Sequence, residues 1–170
     1  MSRQSSGSAR SAPPLRPFGL ILHRDGRWTH EGQPIRNRKL RERFDRSVVY
    51  LPIEDAYVVQ IAHFRGQIEI EETGFFVRWV DLASGELMLS DGSREPLNIK
   101  RLSLSALDGA LIASVKAELR PGGLPARFFQ GPQAELLGAA ELSPDGRAMI
   151  RVAGEWQLIP SALLESEGSD

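Results

Sequence analysis

The sequence contains no cysteine, which excludes disulfide bonds, thiolate metal sites and cysteine nucleophiles. No run approaches the roughly eighteen consecutive apolar residues of a membrane span. The first residues, Met1 to Pro17, consist mostly of Ser, Pro, Arg and Gly instead of the apolar stretch of a signal peptide. These absences predict a cytoplasmic protein without a membrane partner.

The sequence also lacks the common catalytic and nucleotide-binding motifs. It has no G-x-S-x-G nucleophile elbow, no P-loop, no G-x-G-x-x-G turn and no H-E-x-x-H metal helix. This favours a protein that is not an enzyme, and no cofactor is expected.

What the sequence does contain is an ordinary globular composition with an uneven charge. Its 170 residues, 41% hydrophobic and 25% charged, suit one domain or two small lobes that share a core. Residues 1–46 carry 11 Lys and Arg against 4 Asp and Glu, whereas the rest of the chain is net acidic. The basic third could face an anionic partner or the acidic remainder of its own fold.

The stretch from Tyr57 to Leu97 shows apolar residues alternating in short segments between glycine turns. The pattern is clear at Ile68 and Ile70, and Phe75 to Val80 is apolar enough to be a central strand. We therefore predict an antiparallel meander on which the rest of the chain packs, in an α+β fold.

Hairpin and helix signals flank this meander. Asp25-Gly26 predicts a tight hairpin, and Asn37 is a candidate N-cap for a helix over Arg38–Arg46 with Leu40 and Phe44 on its apolar face. A second short helix is predicted within 126–141, followed by a closing hairpin. Together they resemble the N-terminal hairpin and helix and indicate a weak repeat. The predicted units are a disordered tail (1–17), an N-terminal α+β lobe containing the meander (18–119), a C-terminal lobe of helix and hairpin (120–162) and a frayed acidic end (163–170).

Two groups of side chains are candidates for chemistry. His23, Asp25, His30 and Glu31 lie close together across the first hairpin, so His23, His30 and Glu31 are candidate metal ligands, although register decides whether they share a face. Glu69, Glu71 and Glu72 form the densest carboxylate group, which strand alternation places mainly on a solvent face. A metal-dependent or carboxylate-based enzyme is the alternative that these residues leave open.

Six cations lie within eleven residues, on the predicted first helix and just before it. They could bind phosphates or an acidic partner protein, or form a contact with a second subunit, but no base-stacking aromatic residue accompanies them. A solvated helix face is favoured over a nucleic-acid site. The candidate partner face consists of Arg36, Arg38, Lys39, Arg41, Arg43 and Arg46.

Trp28 has two interpretations. It could pack with Ile35 against the first helix and clamp the turn at Gly32 to Pro34, or it could form a pocket rim together with His30. The clamp is favoured because Trp side chains are highly buried on average.

Several motifs resemble the bacterial family called domain of unknown function 1285 (DUF1285). The first is Asp25-Gly26-x-Trp28-x-His30-x-Gly32-x-Pro34-Ile35, followed by the basic helix. Softer similarities occur at Ile68–Val77, where this chain has Gly74 in place of a proline, at Ala126–Phe128, at Ala134–Leu136 and at Gly154–Trp156. The resemblance covers about residues 20–159. It implies two small α+β lobes built from related motifs and a signalling or binding role, and it supplies no catalytic or cofactor residues.

The sequence therefore predicts a non-catalytic binding or regulatory module whose partner is a protein or a small ligand. Binding of a nucleic acid or another anionic partner through the basic helix is a further alternative.

Overall fold

The structure, a computed structural model, describes residues 15–165, which form two six-stranded sheets, a three-stranded sheet and two α-helices. The predicted α+β class is confirmed. No helix in the described residues is both long and apolar enough to cross a membrane.

The first sheet has the strand order β3-β2-β1-β6-β5-β4. Its first hairpin forms as predicted, with Leu22 opposite Trp28. Strands β1 and β6, which are the first and the last of these strands along the chain, pair in parallel. The elements are β1 (Arg16–Leu22), β2 (Trp28–His30), β3 (Gln33–Pro34), α1 (Arg38–Ser47), β4 (Val48–Leu51), β5 (Ala56–Ile61) and β6 (Phe64–Ile70).

Helix α1 starts at its predicted cap, because the Asn37 side chain accepts a hydrogen bond of 3.1 Å from the Leu40 backbone N–H. The apolar face is narrower than expected. Phe44 is buried and meets Trp28, whereas Leu40 is 40% exposed, so the predicted pair reduces to Phe44 alone.

The second sheet has the order β10-β11-β12-β7-β8-β9, with β7 in its interior. Strands β7 and β12 pair in parallel, with Ala126 opposite Phe75. The side chains of Phe75, Phe76 and Val77 are all buried, as expected for a central strand. The elements are β7 (Phe75–Asp81), β8 (Glu86–Leu89), β9 (Arg94–Pro96), a 3₁₀ turn (Ile99–Arg101), β10 (Ser103–Leu104), β11 (Leu111–Val115) and β12 (Leu124–Phe128).

The predicted meander is therefore wrong at its centre. Strands β5 and β6 pair with each other, and so do β7, β8 and β9, but β6 and β7 belong to different sheets. Between them Glu72 is held by Arg127 at 2.8 Å, and the buried Thr73 hydroxyl donates to the Phe75 carbonyl at 2.9 Å. Each strand pairs in parallel with a distant segment, which local alternation cannot indicate.

The third sheet has the order β13-β14-β15, and its inner face completes the core with Ile150 and Val152. The β14–β15 turn is anchored to the second sheet, because the Ala153 N–H donates to the Leu82 carbonyl at 2.8 Å. The elements are α2 (Gln130–Gly138), β13 (Glu141–Leu142), β14 (Ala148–Val152), β15 (Glu155–Leu158) and a final 3₁₀ turn (Ser161–Leu163).

One hydrophobic core extends from Leu20 to Leu163 through all three sheets. The predicted lobe boundary at residue 120 lies between β11 and β12, which pair within a single sheet. The sheets change near residues 71–74 instead.

The predicted ends of the chain are corrected where the structure describes them. Arg16 and Pro17, assigned to the N-terminal tail, belong to β1 and pair with β6. Leu163, assigned to the frayed end, is buried in the core. The remainder of the two predicted tails, residues 1–14 and 166–170, lies outside the described residues.

Candidate functional site

The candidate metal ligands each have a separate environment. The His23 Nε2 atom is 2.9 Å from the Thr29 hydroxyl, and its Nδ1 atom is 3.5 Å from Glu71. The His30 ring instead packs against Phe18, with 5.5 Å between ring centroids. Glu31 occupies the turn after β2 with a positive φ of 48°. Within residues 15–165, no three His, Asp or Glu side chains are grouped as a metal site requires.

The carboxylate group is also dispersed. Glu69 is exposed. Glu71 accepts a hydrogen bond of 2.8 Å from the backbone N–H of Arg24, in the turn between β1 and β2. Glu72 lies at the connection to the second sheet, where it accepts hydrogen bonds from Arg127 and from the Ser105 hydroxyl. The geometry therefore brings no two of these three carboxylates together as an acid and a base.

Trp28 is a core residue and not part of a rim. It is 1% exposed, its ring lies 5.4 Å from that of Phe44, and its indole N–H donates to Asp45 at 2.8 Å. Burial raises the pKa of the Asp45 carboxyl above its ordinary value, against the opposing effects of the Trp28 hydrogen bond and the Arg78 ion pair. The Trp28 interaction thus holds the first hairpin onto helix α1, as the clamp interpretation predicts.

The cations of helix α1 are mostly at the surface. Arg38 pairs with Glu42 at 2.8 Å, and Arg41 lines a cleft of about 300 Å³ beside Asp25, Asp45 and Arg78. Carboxylates balance the arginines in that cleft, so it has no excess charge for an anion. The exposed members of the predicted face are Arg36, Arg38, Lys39, Arg43 and Arg46.

An exposed apolar surface lies elsewhere, on the outer face of the third sheet. Trp156 and Leu158 alternate on strand β15, and Leu158 stands opposite Met149 of β14. Trp156 is 49% exposed and Leu158 is 45% exposed. We call Met149, Trp156 and Leu158 the outer apolar face; the exposed Arg151, opposite Trp156 on β14, lies on the same side of the sheet. Its residues pack on nothing in the core because the opposite side of the same strands, at Ile150 and Val152, fills that role.

Two depressions flank the Trp156 ring. The larger, of about 960 Å³, lies between β15 and the segment 96–100 and contains polar groups from Asn98, Lys100 and Gln157. The smaller, of about 360 Å³, lies on the side of β13 beside Leu142 and Pro144. Sites that bind large partners are commonly open and combine an aromatic residue with a polar rim.

This surface was not predicted from the sequence. The spacing of Trp156 and Leu158 around Gln157 was visible and consistent with one apolar face of a strand. The apolar side chains of an alternating strand are normally expected to face the core. Only the tertiary structure shows that in this sheet the buried side chains are Ile150 and Val152 of β14, whereas Trp156 and Leu158 of β15 face outwards.

The described residues thus define an α+β protein with a continuous core, an exposed apolar sheet face and dispersed titratable groups. No protein-family model matches the chain, and no curated protein matches it. Its fold is similar to the crystal structure of a DUF1285 family protein from Silicibacter pomeroyi DSS-3, with 20% identity, a TM-score of 0.62, and coverage of 95% of this chain and 93% of that one.

A DUF1285 family protein from Shewanella baltica OS155 aligns at 16% identity and a TM-score of 0.48, with coverage of 72% of this chain and 91% of that one. The resemblance predicted from the hairpin motif is therefore confirmed at the level of the fold, by the Silicibacter pomeroyi structure.

Proposed function

We propose that this protein is a non-catalytic binding module that recognises a partner protein through its outer apolar face. The observation that carries the proposal is Trp156, a large aromatic side chain left half exposed between two depressions. Burying such a side chain is favourable, by about 25 cal/mol for each Å² of apolar surface removed from water.

The surroundings of Trp156 support a protein partner over a small ligand. Both depressions are open to solvent, whereas small molecules are usually held in enclosed pockets. Met149 and Leu158 extend the apolar area along two strands, and Lys100 and Glu155 supply charge at its margin. This is the arrangement of an apolar centre within a polar rim that protein interfaces show.

The separation of the titratable groups also supports a binding role. His23, Glu71 and Glu72 are each engaged with a neighbour that stabilises the fold, by a hydrogen bond or an ion pair. None of them lines either depression beside Trp156. These three titratable groups therefore take no part in recognition at this surface.

The test is a selection of short random peptides displayed on phage against the full chain. A selected peptide is then synthesised with a fluorescent label, and its dissociation constant is measured by anisotropy. Trp156→Ala should weaken binding by roughly 30-fold or more, corresponding to the loss of about 2 kcal/mol at an interface hot spot.

Trp79→Ala is the matched control. Trp79 is 39% exposed on β7 and lines neither depression, so its replacement removes an equally large exposed ring from another surface. It should leave the dissociation constant unchanged. Equal binding by the Trp156→Ala variant and the unmodified chain would contradict the proposal, and so would a selection that enriches no peptide.

A further inference from the structure

Strand β15 is an edge strand, and half of its backbone groups point away from the sheet. The β14–β15 turn has two residues, Ala153 and Gly154, both with positive φ, and Val152 is opposite Glu155. In such a hairpin the hydrogen-bonded residues alternate, starting with the pair next to the turn. The Ile159 N–H donates to the Ala148 carbonyl at 3.0 Å, which agrees with this alternation.

The N–H and C=O groups of Trp156 and Leu158 consequently point towards the free edge of the sheet. Within residues 15–165 these groups have no hydrogen-bond partner in the protein. An unpaired strand edge of this kind is a template for pairing with another extended segment. The same two residues also present the exposed side chains of the outer apolar face.

The free edge borders the larger depression. One wall of that depression is β15 itself, and the other is the segment from Pro96 to Lys100. The segment beside the edge hinders the approach of the bulky edge of a second folded copy more than that of a single extended chain. Pro96 ends β9, so that wall supplies no continuous hydrogen-bonding edge of its own.

We propose that the partner contributes an extended peptide segment that adds to β15 as a fourth strand of the C-terminal sheet. This inference rests on the proposed function, since it states how the partner is held at the same face. The segment forms backbone hydrogen bonds with Trp156 and Leu158. Its side chains opposite these two residues lie on the outer apolar face, because directly paired residues share one side of a sheet.

The alternation of a strand then determines the chemistry of the segment. Two apolar residues, separated by one, pack beside Trp156 and Leu158. The residue between them faces the other side, that of Gln157, and Lys100 lines the same depression. Lys100 has no carboxylate within ion-pair distance among the described residues. An apolar–acidic–apolar segment is therefore the occupant, with its acidic side chain complementing Lys100.

The decisive comparison is Leu158→Pro against Leu158→Ala, measured with the peptide obtained by selection. Both variants lose the leucine side chain, but only proline also removes the N–H that points to the free edge. The β14–β15 ladder keeps its hydrogen bonds in both variants, because Gln157 and Ile159 make the bonds to β14. Proline is tolerated at such positions on an edge strand.

Leu158→Pro should bind the peptide about tenfold more weakly than Leu158→Ala, through loss of a donor and the intrusion of the proline ring. Equal dissociation constants for the two variants would overturn the strand-addition proposal. If binding is lost in Trp156→Ala yet is equal in the two Leu158 variants, only strand addition fails. If Trp156→Ala binds normally, the proposed function itself fails.

A second measurement leaves the protein unchanged and applies even if Leu158→Pro does not fold. Each peptide residue is N-methylated in turn, which removes one backbone donor at a time. Strand addition predicts that methylation weakens binding at every second residue, in the alternation of an edge pairing. Equal tolerance at all positions would overturn the proposal.

Discussion

Gly74 lies against the ring of Tyr57, which leaves no room for even one additional methyl group. A Cβ atom on Gly74 would be 2.2 Å from Cε1 of Tyr57, 2.4 Å from Cδ1 and 3.0 Å from Cζ. Real carbon atoms do not approach so closely, so either the ring or the backbone has to move. The backbone φ of Gly74 is outside the positive region, so alanine is strained there only by this contact.

The Tyr57 ring has little freedom to move aside. It packs between Tyr50 and Phe75, with centroid distances of 5.1 Å and 5.9 Å. Burial of the Tyr57 hydroxyl raises its pKa to about 12. Displacing the ring therefore sacrifices aromatic contacts as well as requiring space.

Gly74→Ala should lower the free energy of unfolding by about 2–4 kcal/mol, combining overpacking of about 1–3 kcal/mol with partial loss of two aromatic contacts. For a chain of this size that corresponds to a fall in Tm of roughly 6–12 °C. The proline expected at this position from the family resemblance would bring its Cβ atom against the same ring.

A double-mutant cycle isolates the contact. With Tyr57→Ala already present, Gly74→Ala should be neutral or stabilise by about 0.4–1 kcal/mol, because alanine restricts the unfolded chain more than glycine does. Urea unfolding of the four proteins measures the coupling. A similar effect of Gly74→Ala in both backgrounds would refute the steric argument, and so would a loss below about 0.5 kcal/mol in the unmodified chain.

Two further predictions concern Asp108 and Trp28. The hydrogen bond from Arg127 lowers the pKa of Asp108 to about 2, so its contribution to stability is present above the ordinary value near 3.8 and is lost as the pH falls towards 2. Asp108→Asn should flatten the dependence of urea midpoints on pH across that interval, and an unchanged slope would contradict this. With Trp79 and Trp156 replaced by Phe, iodide should barely quench the fluorescence of Trp28, whereas strong quenching would mean that the clamp opens.

The sequence by itself determined the local elements of this protein. Asp25-Gly26 produced a hairpin and Asn37 began helix α1, because tight turns and helix caps depend on the φ angles and hydrogen bonds of residues adjacent in the chain. The α+β class and the central strand at Phe75 were predictable for the same reason, since alternation and apolar content are local properties.

Functional sites were harder to predict from the sequence than helices and strands. His23 and His30 are close in the sequence, but the pairing of His30 with Leu20 directs the two imidazoles to different neighbours. Trp28 and Trp156 both lie in short strands. Trp28 is buried and its indole N–H donates a hydrogen bond to Asp45, whereas Trp156 is half exposed. Residue type and local pattern do not distinguish them.

Only the tertiary structure decided which strands became neighbours. The parallel pairs β1–β6 and β7–β12 join segments separated by a large part of the chain, and they divide the predicted meander between two sheets. Such pairings depend on the total burial that the whole chain achieves. For the same reason the free edge of β15 became apparent only in the folded molecule: among residues 15–165, no strand pairs with the outer side of β15.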